Sequence, residues 1–235
     1  MKKLLPLLLA VLLLAGCGIQ TQAPAPTAEP LPPKIDPSKI TNIPEPVIHT
    51  GNGNATVVFS GLEERLAPAW VFVVDGNDEE RFFTVSGYAD NPDDTTHFIS
   101  AVFPYHGAFL DYNPFSGYLS TRTFEIGSYG EWSVAAHSIY SMPACYKGVE
   151  YNGVGDAVLI VPEDNVTEIT VKGNMGTKNL YGEQVKGHFA VKSHTPKIQE
   201  LLVNTTEGYS GTVKIENDPY IIEITAVGEW SITIN

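Results

Sequence analysis

The segment Gly228-Glu229-Trp230-Ser231-Ile232-Thr233-Ile234 decides the fold class of this chain, because apolar and polar side chains alternate along it. Alternation with a period of two residues is typical of a β-strand with one buried face. Ile222-Glu223-Ile224-Thr225 shows the same pattern, and clusters of Gly, Asn, Asp and Pro separate such runs. Residues 196–202 are the one segment whose pattern also fits a short helix, and the chain as a whole is predicted to be an all-β protein.

The motif at the C-terminus also occurs earlier in the chain, as Gly130-Glu131-Trp132-Ser133-Val134. Residues 53–59, 83–85 and 115–117 match residues 155–161, 189–191 and 209–211 in the same order. Four ordered matches indicate an internal duplication. We therefore expect two tandem β-sandwich modules, at residues 47–140 and 152–235, joined by a connector at 141–151. Immunoglobulin-like and jelly-roll connectivities both fit this pattern.

The N-terminus has the form of a secretory signal, with Lys2 and Lys3 before an apolar stretch that ends in small residues. The stretch is shorter than the roughly 20 residues that a membrane span needs. Leu14-Ala15-Gly16-Cys17 resembles the bacterial lipobox. This resemblance implies removal of residues 1–16, a diacylglycerol on the Cys17 sulfur and an acyl chain, such as palmitate, on its amine. We therefore expect a lipid-anchored protein of the cell envelope that faces outside the cytoplasm.

The segment at residues 17–46 is predicted to be a linker between the lipid anchor and the first module. It is rich in proline and contains no aromatic residue. Proline favours extended polyproline II structure, and such a composition cannot bury enough apolar surface to fold alone. A spacer that holds the modules away from the membrane is the expected role.

Several short motifs of the second module resemble one group of proteins. They are Gly155-Asp156, Phe189-Ala190-Val191, Leu202-Val203-Asn204, Gly208-Tyr209-Ser210-Gly211 and Gly228-Glu229-Trp230-Ser231-Ile232. The chain resembles the tandem β-sandwich repeats of bacterial exported proteins over most of its mature length. The first module departs from the pattern, with Asp111-Tyr112-Asn113 in place of Asn204-Thr205-Thr206. The resemblance implies a surface β module, and it carries no assigned activity to this chain.

The charge of the chain excludes one class of partner. Loss of Lys2 and Lys3 changes the net charge from −13 to −13 − 2 = −15. The first module has a charge of 3 − 12 = −9 and the second has a charge of 6 − 11 = −5. Such surfaces repel phosphate backbones and anionic headgroups, so nucleic-acid binding is not expected.

Aromatic residues are concentrated in the first module, which holds nine of the ten Phe. Either its core is bulkier than that of the second module, or it presents an aromatic face to a ligand. Tyrosines on turns combine flat apolar area with a polar tip and suit sugar rings or a protein partner. The candidate ligand-binding residues are Tyr105, Tyr112, Phe115 and Tyr118.

Motifs for catalysis and metal binding are weak. The chain has no nucleophile elbow, zinc-protease motif, Cys-x-x-Cys or phosphate loop. Asp75, Asn77 and Glu79 have the alternate spacing of a calcium loop, but the place where such a loop needs glycine holds Glu80, so a solvated hairpin turn is the favoured explanation. Cys145, the one cysteine left after Cys17, is expected to be a small buried residue. No catalytic residue and no obligatory cofactor is predicted.

Three functional hypotheses follow. The first is a non-catalytic envelope module that binds a cell-wall glycan or an envelope protein, mainly through the first module. The second is a structural or accessory lipoprotein without a small-molecule ligand. The third is a hydrolase, which would need two carboxylates across a cleft, one of them with a raised pKa.

Overall fold

The structure of the protein, a computed structural model, describes residues 33–34, 36–62, 69–76, 81–89, 91–111, 120–174, 177–178, 184–185 and 187–235. These residues belong to one compact unit, which spans Pro32–Asn235. The helices within the described residues are three short 3-10 turns, at Pro37–Lys39, Pro92–Asp94 and Ile139–Ser141. No helix in this part of the chain is long and apolar enough to cross a membrane.

The first module consists of eight strands in two four-stranded antiparallel sheets. The strands are β1 (Val47–Asn52), β2 (Ala55–Val58), β3 (Trp70–Gly76), β4 (Phe83–Tyr88), β5 (Thr96–Ala101), β6 (Tyr105–Leu110), β7 (Thr123–Gly127) and β8 (Glu131–Ser138). Their order is β1-β8-β3-β6 in one sheet and β2-β7-β4-β5 in the other. This order, with two Greek keys across two sheets, is that of a jelly roll.

The second module repeats the same topology. Its strands are β9 (Glu150–Val154), β10 (Ala157–Ile160), β11 (Glu168–Gly173), β12 (Thr177–Lys178), β13 (Gln184–Val185), β14 (Phe189–His194), β15 (Gln199–Thr205), β16 (Tyr209–Lys214), β17 (Ile221–Thr225) and β18 (Glu229–Ile234). Apart from the β12-β13 hairpin, the sheets are β9-β18-β11-β16 and β10-β17-β14-β15. The expected all-β fold of tandem sandwiches is confirmed, and both sandwiches are jelly rolls.

The repeated Gly-Glu-Trp motif has a packing role in both modules. Trp132 pairs with Gly51 across the strands, and its ring covers that glycine so closely that an added Cβ would lie 2.3 Å from it. The indole nitrogen donates to the carbonyl of Gly53 at 2.8 Å. Trp230 repeats both contacts in the second module, and its indole nitrogen donates to Gly155 at 2.8 Å. Both rings are buried, so the repeated tryptophan is a core residue.

The structure corrects one match within the repeat. The sequence comparison pairs residues 115–117 with 209–211, but β6 occupies the position in the first module that β16 occupies in the second. Tyr105 pairs with Gly76 on β3, as Tyr209 pairs with Gly173 on β11. Residues 105–107 are therefore the counterpart of residues 209–211.

The aromatic excess of the first module is largely explained by its core. Phe59, Phe72 and Phe124 are fully buried, and their ring centroids lie 4.5 to 5.5 Å apart. The strand registers place a smaller aliphatic residue at each equivalent position of the second module. The pairs are Phe59 and Val161, Phe72 and Ile169, Phe109 and Val213, and Phe124 and Ile222. The two modules therefore fill one topology with different side chains.

The short helix that the sequence allows at residues 196–202 does not form. A turn forms after β14, in which Thr195 Oγ1 accepts from the backbone nitrogens of Lys197 and Ile198. The chain then enters β15, which pairs with β14 along its length. Tertiary strand pairing overrides the local preference here.

The two modules pack together through a third apolar cluster, which lies outside both sandwich cores. Val71 and Leu110, from the outer face of the β1-β8-β3-β6 sheet, pack with Val158 and Ile221, from the outer face of the β10-β17-β14-β15 sheet. In the repeat, β10-β17-β14-β15 is equivalent to β2-β7-β4-β5. The interface thus joins two faces that are not equivalent.

A segment before β1 contacts the second module. The Lys34 side chain is only 3% exposed, and its ammonium lies 2.7 Å from Asp218 Oδ1 and donates to the carbonyl of Glu163 at 2.6 Å. It also lies 5.5 Å from the centroid of the Tyr220 ring. Although the sequence predicts a spacer here, the part that carries Lys34 is fastened to the second module before the chain enters the first.

Candidate functional site

A cleft of about 460 Å³ lies where the two modules meet. One wall is formed by β5 and β6, which are one edge strand from each sheet of the first module, and the other by the outer face of the β10-β17-β14-β15 sheet. The volume is within the range of about 300–1,000 Å³ that is usual for ligand pockets, which favour domain boundaries. Its ionisable and amide side chains come from both modules: His97, Asp111, Asp156, Lys192, His194, Gln199 and Glu223.

Asp156 lies at one end of the cleft and joins the two modules. Its Oδ1 accepts from the backbone nitrogen of Ala226 at 2.8 Å, and its Oδ2 accepts from the Tyr105 hydroxyl at 2.7 Å. The backbone carbonyl of Asp156 also accepts from the nitrogen of Ala108 at 3.0 Å. Burial raises the pKa of the Asp156 carboxyl, although its two hydrogen bonds oppose the rise.

The residue equivalent to Asp156 in the first module shows that this position has a structural role. The strand registers make Asn54 the equivalent residue of the first module. Asn54 Oδ1 accepts from the backbone nitrogen of Ser128 at 3.0 Å, as Asp156 accepts from Ala226. A side-chain oxygen at this turn therefore caps the loop in both modules. In the second module the other oxygen binds the neighbouring module as well.

Glu223 is the centre of a charged group on the floor of the cleft. Its Oε2 lies 3.0 Å from His194 Nε2 and 3.3 Å from Lys192 Nζ. Burial alone would raise the pKa of Glu223, but the hydrogen bond from His194 and the charge of Lys192 outweigh it, so the pKa is lowered. Glu223 is therefore held as a carboxylate between two nitrogen donors.

His97 extends the polar lining onto the first module. Its Nδ1 lies 2.7 Å from the Ser86 hydroxyl, on the neighbouring strand. A Ser–His pair can form a nucleophile and base, but Ser86 is nearly buried. The pair therefore orients the imidazole beside the cleft and does not expose a hydroxyl to a substrate.

An aromatic ring lies beside these polar groups. Phe98 lines the cleft and stacks on Phe109, with ring centroids 4.5 Å apart and planes inclined by 15°. Phe109 is buried, whereas Phe98 is partly exposed. The cleft thus combines one partly exposed ring with donors and acceptors from both modules.

The candidate ligand-binding residues are only partly covered by the structure. Tyr105 is half-buried, and its hydroxyl donates to Asp156 at the module interface. Burial raises the pKa of that hydroxyl. Tyr112, Phe115 and Tyr118 lie outside the described residues, as does Cys17. Their assignment as ligand-binding and lipid-attachment residues stays a prediction.

The structure describes only one of the three candidate calcium residues, Asp75. The Asp75 carboxylate accepts from His106 Nδ1, and Ser133 Oγ donates to it at 3.3 Å. Asn77 and Glu79 lie outside the described residues. Among the residues that the structure does describe, no group of three or more His, Cys, Asp or Glu side chains could hold a metal ion.

Cys145 is buried, as the sequence predicts. Its thiol donates to the carbonyl of Ile160 at 3.3 Å. Burial raises its pKa to about 12, so the thiol stays protonated and unreactive at neutral pH.

Sequence reasoning missed the residues of the cleft floor. Lys192 and Glu223 occupy outward positions on alternating strands, which normally face solvent. Their pairing across β14 and β17 needs the strand register. One signal was present in the sequence, because Glu223 is a charged residue between isoleucines in an otherwise apolar stretch.

No protein-family model matches the chain, and no curated protein matches it either.

Proposed function

We propose that this chain is a bacterial envelope lipoprotein, anchored through lipidated Cys17, whose jelly-roll unit binds a cell-envelope saccharide without catalysis. The cleft between the modules is the proposed binding site. The observation that carries this proposal is the combination of a partly exposed Phe98 with polar side chains from both modules in one cleft of about 460 Å³.

A saccharide fits this chemistry better than other ligands. Sugar rings present apolar faces to aromatic side chains, and their hydroxyls both donate and accept hydrogen bonds. Gln199, Lys192 and His97 supply polar groups around Phe98. The net charge of −15 after loss of the signal argues against nucleic acid.

Binding is favoured over hydrolysis by the role of Asp156. A hydrolase would use its raised pKa to protonate a leaving group. Both carboxylate oxygens are instead occupied, one by Ala226 and one by Tyr105. The equivalent Asn54 caps the same turn without a charge. The structural role therefore accounts for Asp156 without catalysis.

The binding proposal is tested by titrating neutral and acidic oligosaccharides into the full-length protein in detergent, by calorimetry. The variant Lys192→Ala with Gln199→Ala is expected to weaken binding by at least about tenfold, which corresponds to about 1.4 kcal/mol. Lys172→Ala is the matched control, because Lys172 is exposed on the other sheet of the second module. Equal affinity of the cleft variant and the wild type would contradict the assignment.

The anchor is tested separately in growing cells. Metabolic labelling with an alkyne fatty acid is expected to mark the wild type and not Cys17→Ala. Retention of label by the variant, or release of the wild type without detergent, would exclude anchoring through Cys17.

A further inference from the structure

A second surface feature lies at the end of the first module that carries the β1–β2 and β7–β8 turns, and all of its lining residues belong to that module. It is a depression of about 450 Å³ lined by Gly53, Asn54, Phe82, Gly127, Ser128 and Tyr129, here called the free-end pit. Gly53 and Asn54 connect β1 to β2, Phe82 precedes β4, and Ser128 and Tyr129 connect β7 to β8. Three turns thus converge on one site.

Two aromatic rings of the pit are exposed without a packing reason. Phe82 is 56% exposed and Tyr129 is 64% exposed. The guanidinium of Arg81 lies over the Tyr129 ring, 5.0 Å from its centroid. Such a contact contributes about 0.5–1 kcal/mol at an exposed site and limits the motion of the ring. Large exposed rings on adjacent turns are a feature of binding surfaces.

Because the modules are duplicated, the turn that borders the pit can be compared with the equivalent turn of the second module. In the second module the equivalent turn, Gly155-Asp156, is covered by strand β6 of the first module. Ala108 donates to the carbonyl of Asp156, and a Cβ on Gly155 would lie 2.7 Å from the carbonyl oxygen of His106. The same turn is therefore covered in one module, whereas in the other it borders an open pit.

Phenylalanine and tyrosine occupy these two positions only in the module whose turn is open. Strand register places His188 at the position of Phe82 and Val227 at the position of Tyr129. Gly187 lies against Val227, at the place where Arg81 lies over Tyr129. Both modules have the same topology, so the fold itself does not require rings here. The difference follows the accessibility of the turn.

We propose that the free-end pit is a second saccharide site, which takes a neutral sugar ring between Phe82 and Tyr129. The rings offer their faces to the apolar side of the sugar, and the two glycines let the ligand approach the backbone. Asn54 Oδ1 is engaged by the nitrogen of Ser128, so its amide nitrogen is the end that donates to a hydroxyl. The charge of −9 on this module disfavours acidic sugars.

The test uses the full-length protein in detergent, in which Lys192→Ala and Gln199→Ala have removed two of the proposed contacts of the cleft. Chitotetraose, cellotetraose and mannotetraose are titrated as neutral probes, and tetragalacturonate as the acidic probe. At least one neutral probe is expected to bind, and more tightly than tetragalacturonate. Adding Phe82→Ala or Tyr129→Ala is expected to weaken that binding by at least about tenfold.

Two further variants test whether binding depends on the aromatic ring itself, and not on the tyrosine hydroxyl or on exposed apolar area in general. Tyr129→Phe keeps the ring and is expected to keep binding, while Val154→Ala removes an apolar side chain of similar exposure, 63%, from the other module and is expected to change nothing. Melting temperatures of all variants should stay close to that of their parent, because these side chains are exposed. Absence of neutral-probe binding in the parent, or unchanged affinity in both alanine variants, would overturn the proposal. Because the cleft is tested by its own variants, its failure and that of the pit are distinguishable.

Discussion

Replacing Asp156 with alanine removes the acceptor for two hydrogen bonds at the module interface. The backbone nitrogen of Ala226 and the hydroxyl of Tyr105 would both lose their partner. An unpaired buried donor costs about 1–3 kcal/mol, and removal of a buried carboxylate recovers part of that loss. We expect Asp156→Ala to lower the free energy of unfolding by about 2–4 kcal/mol.

Asp156→Asn is the informative comparison. Asn54 shows that a carboxamide oxygen caps the same turn, and the amide nitrogen of an asparagine can donate to the Tyr105 hydroxyl. Both hydrogen bonds are therefore retained without the buried charge, and we expect a change within about 1 kcal/mol at neutral pH. Chemical denaturation of the full chain, followed by tryptophan fluorescence, measures both variants.

The free energies of unfolding of the wild type and of Asp156→Asn should also differ in their pH dependence. Burial raises the pKa of Asp156 in the folded protein above its ordinary value of 3.8. The folded state therefore binds this proton at a higher pH than the unfolded state. The resulting stabilisation is fully present below 3.8 and is lost as the pH rises through the folded pKa. The free energy of unfolding of the wild type, minus that of Asp156→Asn, should thus decrease as the pH is raised from about 4 to about 7.

Either of two results would refute this reasoning. If Asp156→Asn destabilised the protein as much as Asp156→Ala, the charge and not the acceptor geometry would hold the interface. A difference between wild type and Asp156→Asn that did not change with pH would show that burial does not raise the pKa of this carboxyl.

Three further predictions concern packing, the segment before β1 and the free thiol. Gly153→Ala should cost about 1–3 kcal/mol in denaturation experiments, because the new Cβ would lie 2.1 Å from the tryptophan ring above it, whereas Gly208→Ala, with no atom within 4 Å, should be nearly neutral. Lys34→Ala should speed proteolysis of residues 36–46, because it removes the contact with Asp218; an unchanged rate would show that this contact does not hold the segment. Cys145, with a pKa raised to about 12 by burial, should resist alkylation at pH 8 until the protein is unfolded, and rapid labelling of the native protein would contradict this.

The fold class could be predicted from the sequence because it depends on local patterns. Alternation around Trp230 and its repetition around Trp132 mark strands and a duplication, and both tryptophans are core residues in the structure. The choice of jelly roll could not be predicted, since it depends on which distant strands pair. Residues 115–117 were matched to the second module by composition, while the true counterpart, beginning at Tyr105, is identified only by its register on β3.

The cleft could not be predicted for the same reason. His97 and Glu223 are far apart in the sequence and line one cleft only because the modules pack through particular faces. The exposed rings of the free-end pit were also missed. Phe82 stands beside the buried Phe83, and composition does not tell which of the two faces solvent.

The interface between unlike faces has a consequence for assembly. A head-to-tail contact of this kind could continue from one molecule to the next and build an open filament. The paired residues Val71 and Leu110 make this contact, but Glu168 and Lys214 stand at the same paired position on the outward face of the second module. At the opposite end, the place of Ile221 is taken by Thr123. We expect these polar residues to disfavour a further contact of this kind, as the polar outer faces of terminal repeats do in solenoid proteins.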